Sequence, residues 1–257
     1  MRPLHSLIIG GTRGIGRELV DHFVHKGHKV SVVARSLPTR KAEQGRAHYW
    51  AADIRDFDQI HTALKQLIKK NGKVNHLVFF QRYRGEDVWS GEIETSLTAT
   101  KTVVDALQDK FAPGEKAVVI VSSINAALIA SGMPISYHMA KAALVQMVRY
   151  WAVTLGPRGI RVNSVSPGTV LKKESKKFFM RDRPLAALYE RITPLARFGK
   201  ASEVASVIDC LCSEQMSFVT GQDIVVDGGV SLLWQEALAR ELVGLSRPLS
   251  GKPKKRK

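Results

Sequence analysis

Leu4-His5-Ser6-Leu7-Ile8-Ile9-Gly10-Gly11-Thr12-Arg13-Gly14-Ile15-Gly16 is the stretch that decides the fold. Leu4 to Ile9 is an apolar run of strand length, and beyond the glycines the apolar residues Leu19, Val20, Phe23 and Val24 recur at helical spacing. Strand, glycine turn and helix in that order open a nucleotide-binding βαβ unit. The turn needs glycine because its backbone takes open angles, lets a pyrophosphate approach the main chain and lets the helix pack close to the sheet. The helix N-terminus then offers free N–H donors and the positive end of its dipole. Gly10, Thr12, Arg13, Gly14, Ile15 and Gly16 are therefore candidate cofactor ligands.

Lys29 to Ala34 reads as the second strand. It ends in Ala34-Arg35-Ser36, where a carboxylate would hold the ribose 2′-hydroxyl of NAD. No acid at that position repels a 2′-phosphate, and Arg13 supplies a second guanidinium suited to forked phosphate binding. The pattern predicts NADP(H), with Arg35 and Ser36 at the 2′-phosphate. Further apolar runs at Val74 to Phe80, Ala117 to Ser122 and Arg161 to Val165 alternate with amphipathic segments. That alternation predicts a single-domain, three-layer α/β fold with a Rossmann-like, doubly wound parallel sheet and ligands at the carboxyl ends of its strands.

The second informative run is Ser136-Tyr137-His138-Met139-Ala140-Lys141. Four-residue spacing on a helix sets the phenol of Tyr137 and the ammonium of Lys141 on one face. A free tyrosine is a poor acid at neutral pH, with a pKa near ~10, and a fixed neighbouring cation favours its phenolate. The pair is a candidate general acid and its tuner. Such spacing is common on amphipathic helices, so its weight comes from the glycine turn upstream.

Composition fits one globular unit, since 257 residues with 44% apolar content can bury a large core. No apolar run approaches the ~18 to 20 residues of a membrane span, and a cytoplasmic protein is expected. Cys210 and Cys212 sit two apart on a predicted helix, which suggests reduced, buried thiols and neither a disulfide framework nor a metal site.

From Leu4 to Leu233 the chain resembles the short-chain dehydrogenase/reductase superfamily, and its 3-oxoacyl-thioester reductases in particular. The glycine turn is similar to the family's T-G-x-x-x-G-x-G, with Ile9 in place of the threonine. Asp53 in Ala51-Ala52-Asp53-Ile54 matches the acid that contacts adenine. Ser123, Tyr137 and Lys141 match the catalytic set. Arg161 to Gly168 looks like the strand and turn that hold the nicotinamide carboxamide, implying Pro167, Gly168 and Val170 as contacts. Thr220 to Gly229 looks like the last strand. The resemblance implies that Tyr137 protonates the carbonyl oxygen, Lys141 lowers its pKa and holds the nicotinamide ribose, and Ser123 polarises the carbonyl. Ser123 lies one residue further from Tyr137 than the commonest family spacing, and Ser122 is its less favoured substitute.

Two departures fall at the site. Where most members carry Asn-Asn-Ala-Gly after the fourth strand, this chain has Phe79-Phe80-Gln81-Arg82. The family's fourth catalytic residue, an asparagine that positions a water in the proton relay, aligns with Ser96.

A net charge of +16 and a pI near 10.0 ask for an acidic partner. No nucleic-acid-binding signature accompanies the charge, so an anionic substrate is the better match. The segment at about 170–200, where the family builds its substrate lid, contains Lys172, Lys173, Lys176, Lys177, Arg181 and Arg183, a basic rim able to steer anions. Arg82 and Arg84 are further candidates for the pocket, with a solvated loop as the alternative. The expectation is a reductase acting on a ketone of an acidic substrate, with 3-oxoacyl thioesters of acyl carrier protein or coenzyme A favoured. The alternative is a nucleotide-binding scaffold that has lost turnover. Resemblance also implies a homodimer or homotetramer through the long helices at Thr98 to Phe111 and Tyr137 to Leu155. Residues 1–244 form the expected NADP-binding domain, with a helix at Ser231 to Val243, and residues 245–257 form an expected disordered basic tail.

Overall fold

In the computed structural model, residues 3–38 and 47–245 are described. β1 (His5–Ile9) is buried along its whole length and pairs in parallel with β2 (Lys29–Ala34) on one side and β4 (His76–Phe79) on the other. Reading β3 (Ala47–Ala51), β5 (Ala117–Val121), β6 (Arg161–Pro167) and β9 (Asp223–Val226) with them, the strands form a seven-stranded parallel sheet in the order β3-β2-β1-β4-β5-β6-β9. The winding reverses between β1 and β4, which opens a crevice at the carboxyl ends of those strands. β3 escapes the sequence reading because Ala-His-Tyr-Trp-Ala lies at the sheet edge with a half-exposed side and carries no apolar run.

Side chains alternate along each strand, so the sheet divides its apolar residues between two cores. Leu7, Ile9, Leu77, Phe79, Val118 and Ile120 face one core, shared with α2 (Phe57–Asn71), α3 (Ala99–Leu107) and α4 (Ile135–Leu155). Ile8, Val32, Val78, Val119 and Val165 face the other, shared with α1 (Gly14–His25) and α7 (Ala201–Cys212). Asp209 on α7 ties the latter two helices together by accepting from His22 of α1 and from Lys26 at its C-terminal cap.

The segment expected to form a lid is an excursion between β6 and α7: β7 (Val170–Leu171), α5 (Lys173–Arg181), α6 (Arg183–Ile192) and β8 (Gly199–Lys200), with β7 and β8 paired in parallel. The helix expected at Ser231 to Val243 is broken into a 3₁₀ turn (Val230–Leu232) and α8 (Gln235–Leu242). Cys212 is buried as expected, whereas Cys210 is only half-buried. Among the described residues no helix is long and apolar enough to cross a membrane, and no side-chain cluster could hold a metal ion. The expected basic tail lies outside the described residues from 246 onward.

Candidate active site

A cavity of about 790 Å³ opens at the carboxyl ends of β1, β2, β4, β5 and β6. Gly10, Thr12, Arg13, Gly14, Ile15 and Gly16 line it from the first turn, Arg35 and Ser36 from the end of β2, and Asp53 and Ile54 from the end of β3. Ser123 enters from the end of β5, Tyr137 and Lys141 from α4, and Pro167, Gly168 and Val170 from the end of β6. Ser96 is the candidate that the cavity lining lacks.

The glycine turn is shaped by close approach. Gly10 has φ of +86°, and a Cβ on Gly16 would stand 2.6 Å from the Gly10 carbonyl oxygen and 3.2 Å from the Phe80 ring. Phe80, from the departing segment after β4, packs against this turn. The free N–H of Gly14, at the start of α1, donates to the Glu174 carboxylate of α5 at 3.1 Å. The aliphatic stem of Lys172 lies beside Gly14, 3.3 Å from where a Cβ would be. An anion from the lid thus already sits on the donor that a pyrophosphate needs.

Tyr137 is flanked by two cations. The Lys141 ammonium stands 5.6 Å from its ring centroid and the Arg82 guanidinium 5.1 Å, both within cation–π range. Lys141 is 4% exposed; its Nζ donates to the Val121 carbonyl at 3.3 Å, and its own carbonyl accepts from Ser122 Oγ at 2.9 Å. Burial pulls the ammonium down to about 8, the Glu92 carboxylate opposes that pull, and Arg82 and Lys172 add to it. Ser123 Oγ accepts from the Asn125 N–H at 3.2 Å and so caps the short turn Ile124–Ala126. Buried His138 holds the same loop, one ring nitrogen 3.0 Å from the Asn125 carbonyl and the other 3.2 Å from that of Ala130.

Ser96 lies in a π-helical turn, Ile93–Thr98. A π turn widens the helix by one residue and changes which side chains face outward. Thr95 takes the place on the cavity wall, while Ser96 is 1% exposed and donates to buried Glu92 one turn back. Glu92 at i−4 of a polar helical residue was a readable pair in the sequence. The contact of Glu174 with Gly14 spans 160 residues and had no local signal.

The charges differ in origin from the expected basic rim. Of the lid cations only Lys172 lines the cavity; Lys173, Lys176 and Lys177 point to solvent. Arg82 and Arg84 line it from the segment after β4. Mutual repulsion is felt there: burial first, then Arg13, Arg82 and Arg35, hold the Arg84 guanidinium below its ordinary range. Asp53 is engaged by Arg55, which donates to its two carboxylate oxygens at 3.2 and 2.8 Å and holds it below the usual carboxylate range.

A nucleotide-binding oxidoreductase is the class this sheet, turn and phenol–ammonium pair define. Residues 10–231 match the family model described as enoyl-(acyl carrier protein) reductase. The chain belongs to that family, within the short-chain dehydrogenases/reductases, whose members use a nicotinamide dinucleotide. It is 28% identical to the 3-oxoacyl-(acyl-carrier-protein) reductase of Thermotoga maritima over 87% of this chain and 96% of that protein. It is 31% identical to a peroxisomal 2,4-dienoyl-CoA reductase of Pongo abelii over 90% and 85%, respectively. In fold it is similar to the aldohexose dehydrogenase of Thermoplasma acidophilum, with a TM-score of 0.82 at 24% identity over 91% of this chain and 96% of that one.

The residues fit a dinucleotide. The turn leaves no room for side chains where the main chain must be approached, and a carboxylate already serves as stand-in anion on Gly14 N. Arg13 and Arg35 line the far end of the same cavity.

Proposed function

We propose that the protein is an NADPH-dependent reductase of a ketone on an anionic substrate. The observation that carries this reading is Tyr137, between the Lys141 and Arg82 cations, in one cavity with the glycine turn. Arg13, Arg35 and Ser36 support a 2′-phosphate, since Ala34 leaves no carboxylate to repel it. NADPH, when bound, supplies the hydride for the carbonyl carbon. Tyr137 donates a proton to the ketone oxygen, Lys141 holds positive charge beside it and a ribose hydroxyl, and Ser123 donates to the same ketone oxygen. Donating there takes only the hydroxyl proton of Ser123, whose lone pair stays on Asn125 N–H.

The relatives' names support a 3-oxoacyl thioester, with acyl carrier protein or coenzyme A as the carrier. The exposed Tyr150 and Val153 on α4 support a homo-oligomeric assembly. A second reading, a nucleotide-binding scaffold with little turnover, is favoured by Ser96 turning inward to Glu92. The deciding experiment follows NADPH oxidation against 3-oxoacyl thioesters and small keto acids, with NADH and Tyr137→Phe in parallel. Turnover with NADPH that the substitution abolishes supports the reductase. Tight NADPH binding without turnover on any of them favours the scaffold.

A further inference from the structure

The charge inventory of the cavity is lopsided. Arg13, Arg35, Arg82, Arg84 and Lys172 line it together with Lys141, and the carboxylates that line it are Asp53 and Glu174. Asp53 is consumed by Arg55. Among the described residues no carboxylate is ion-paired with Arg82, whose guanidinium lies over the Tyr137 ring. Arg82 is exposed on the cavity wall, and a guanidinium does not discharge in a protein, so it stays a fixed cation that an anion from outside can neutralise.

The cations also divide by position. Arg84 feels Arg13 first and then Arg82 and Arg35, so it lies between Arg82 and the pair argued to hold the 2′-phosphate. Lys172 lies along Gly14, the pyrophosphate donor. Arg82 is left at the reacting end, 5.1 Å from the ring of the proton donor. A ketone oxygen accepting from the phenol at ~2.7 Å and a carboxylate held by the guanidinium at ~2.8 Å must belong to groups only a few bonds apart. The phosphates of a pantetheine thioester lie at the far end of its arm and cannot meet Arg82 while the ketone meets Tyr137.

We infer that Arg82 is a specificity-determining residue that selects substrates carrying a carboxylate within a few bonds of the ketone, short 2- or 3-oxo acids, over the neutral ester or thioester. The inference rests on the ketone-reductase reading and departs from the thioester named there, putting the free oxo acid in its place. Its test uses the matched pair acetoacetate and methyl acetoacetate. NADPH oxidation is followed with each, and binding is measured separately by calorimetry on protein saturated with NADP⁺, for the wild type and Arg82→Gln. The expected result is a wild-type preference for the acid, a roughly 10- to 100-fold loss of acid binding and kcat/KM in Arg82→Gln, and a clearly smaller loss with the ester, which registers only the removal of a cation from beside Tyr137. NADPH affinity and thermal midpoint, measured on the variant, separate this from misfolding. Equal handling of acid and ester by the wild type, no binding of the acid, or a loss in Arg82→Gln that falls on NADPH instead, overturns the inference. Acid binding that depends on Arg82 without any NADPH oxidation upholds the anion site while rejecting the reductase reading.

Discussion

The two ends of the sheet treat ionisable groups in opposite ways. At the carboxyl ends of the strands, Arg13, Arg82, Arg84 and Lys172 crowd an open cavity. At the amino ends, His28 and His76 pack against each other and against Phe23, whose ring stacks on His28 at 4.8 Å, and His5 is buried as well. His5 shares hydrogen bonds with the Gly72 carbonyl and Ser31 Oγ, and Ser6 Oγ meets both His28 and His76. Burial lowers all three, His28 to about 4 and His76 to about 3, so they are neutral at pH 7. Histidine can shed its proton, and hydroxyls and a carbonyl meet the ring nitrogens named above while His76 Nε2 stands 3.4 Å from the Glu115 carboxylate, so that end closes. Arginine cannot shed its proton, so the other end stays open to an anion.

The largest effect belongs to the open end. Tyr137→Phe should lower NADPH-dependent turnover by roughly 10²- to 10⁴-fold, while NADPH affinity stays within about threefold of wild type; stopped-flow rates and fluorescence titration measure the two. An equal loss of affinity would mean that the phenol serves binding rather than proton transfer.

The closed end should reveal itself in acid. Because the folded histidines resist protonation, the unfolded chain takes up protons first as pH falls below 6.5. Stability should be nearly level between about pH 7 and 8 and decline progressively toward pH 4, lowering the thermal midpoint by roughly 5 °C or more. A scanning-calorimetry series from pH 8 to 4 tests it, and a flat profile would remove the contrast between the two ends.

A smaller effect concerns Lys141. Its ammonium is protonated below about 8, so kcat/KM should fall as pH rises through that value, by about tenfold per unit once the charge is lost. A pH–rate profile with the limb above 10 would show that the bound substrate or cofactor restores the charge.

The smallest is expected at the lid. Removing the Glu174 charge takes a competing anion off the Gly14 N–H, so Glu174→Gln should tighten NADPH by roughly three- to fivefold. Unchanged or weaker binding in an equilibrium titration would mean that the lid anion does not compete with the cofactor.

How far the sequence reaches can be judged at particular residues. The glycine turn, the parallel sheet and the Tyr137–Lys141 face were readable because each depends on spacing within a few residues, which the periods of strand and helix translate directly into geometry. Edge strand β3 was not readable, since a half-exposed strand needs no apolar run. The lid lysines read as a rim, yet Lys173, Lys176 and Lys177 face solvent, because a run of like charges carries no information on which side of a helix meets a cavity.

The sequence by itself determined the fold class, the glycine turn and the phenol with its neighbouring cation, all products of local backbone preference and repeat. Only the tertiary structure decided that Arg82 stacks on Tyr137, that Arg55 occupies Asp53, that Ser96 turns toward Glu92, and that Glu174 reaches across the molecule to Gly14. Arg82 and Tyr137, like Glu174 and Gly14, come from chain segments far apart, and such pairings are set by how the crossovers return to the sheet. A π turn likewise rotates its side chains by a displacement that no residue pattern in this chain announces.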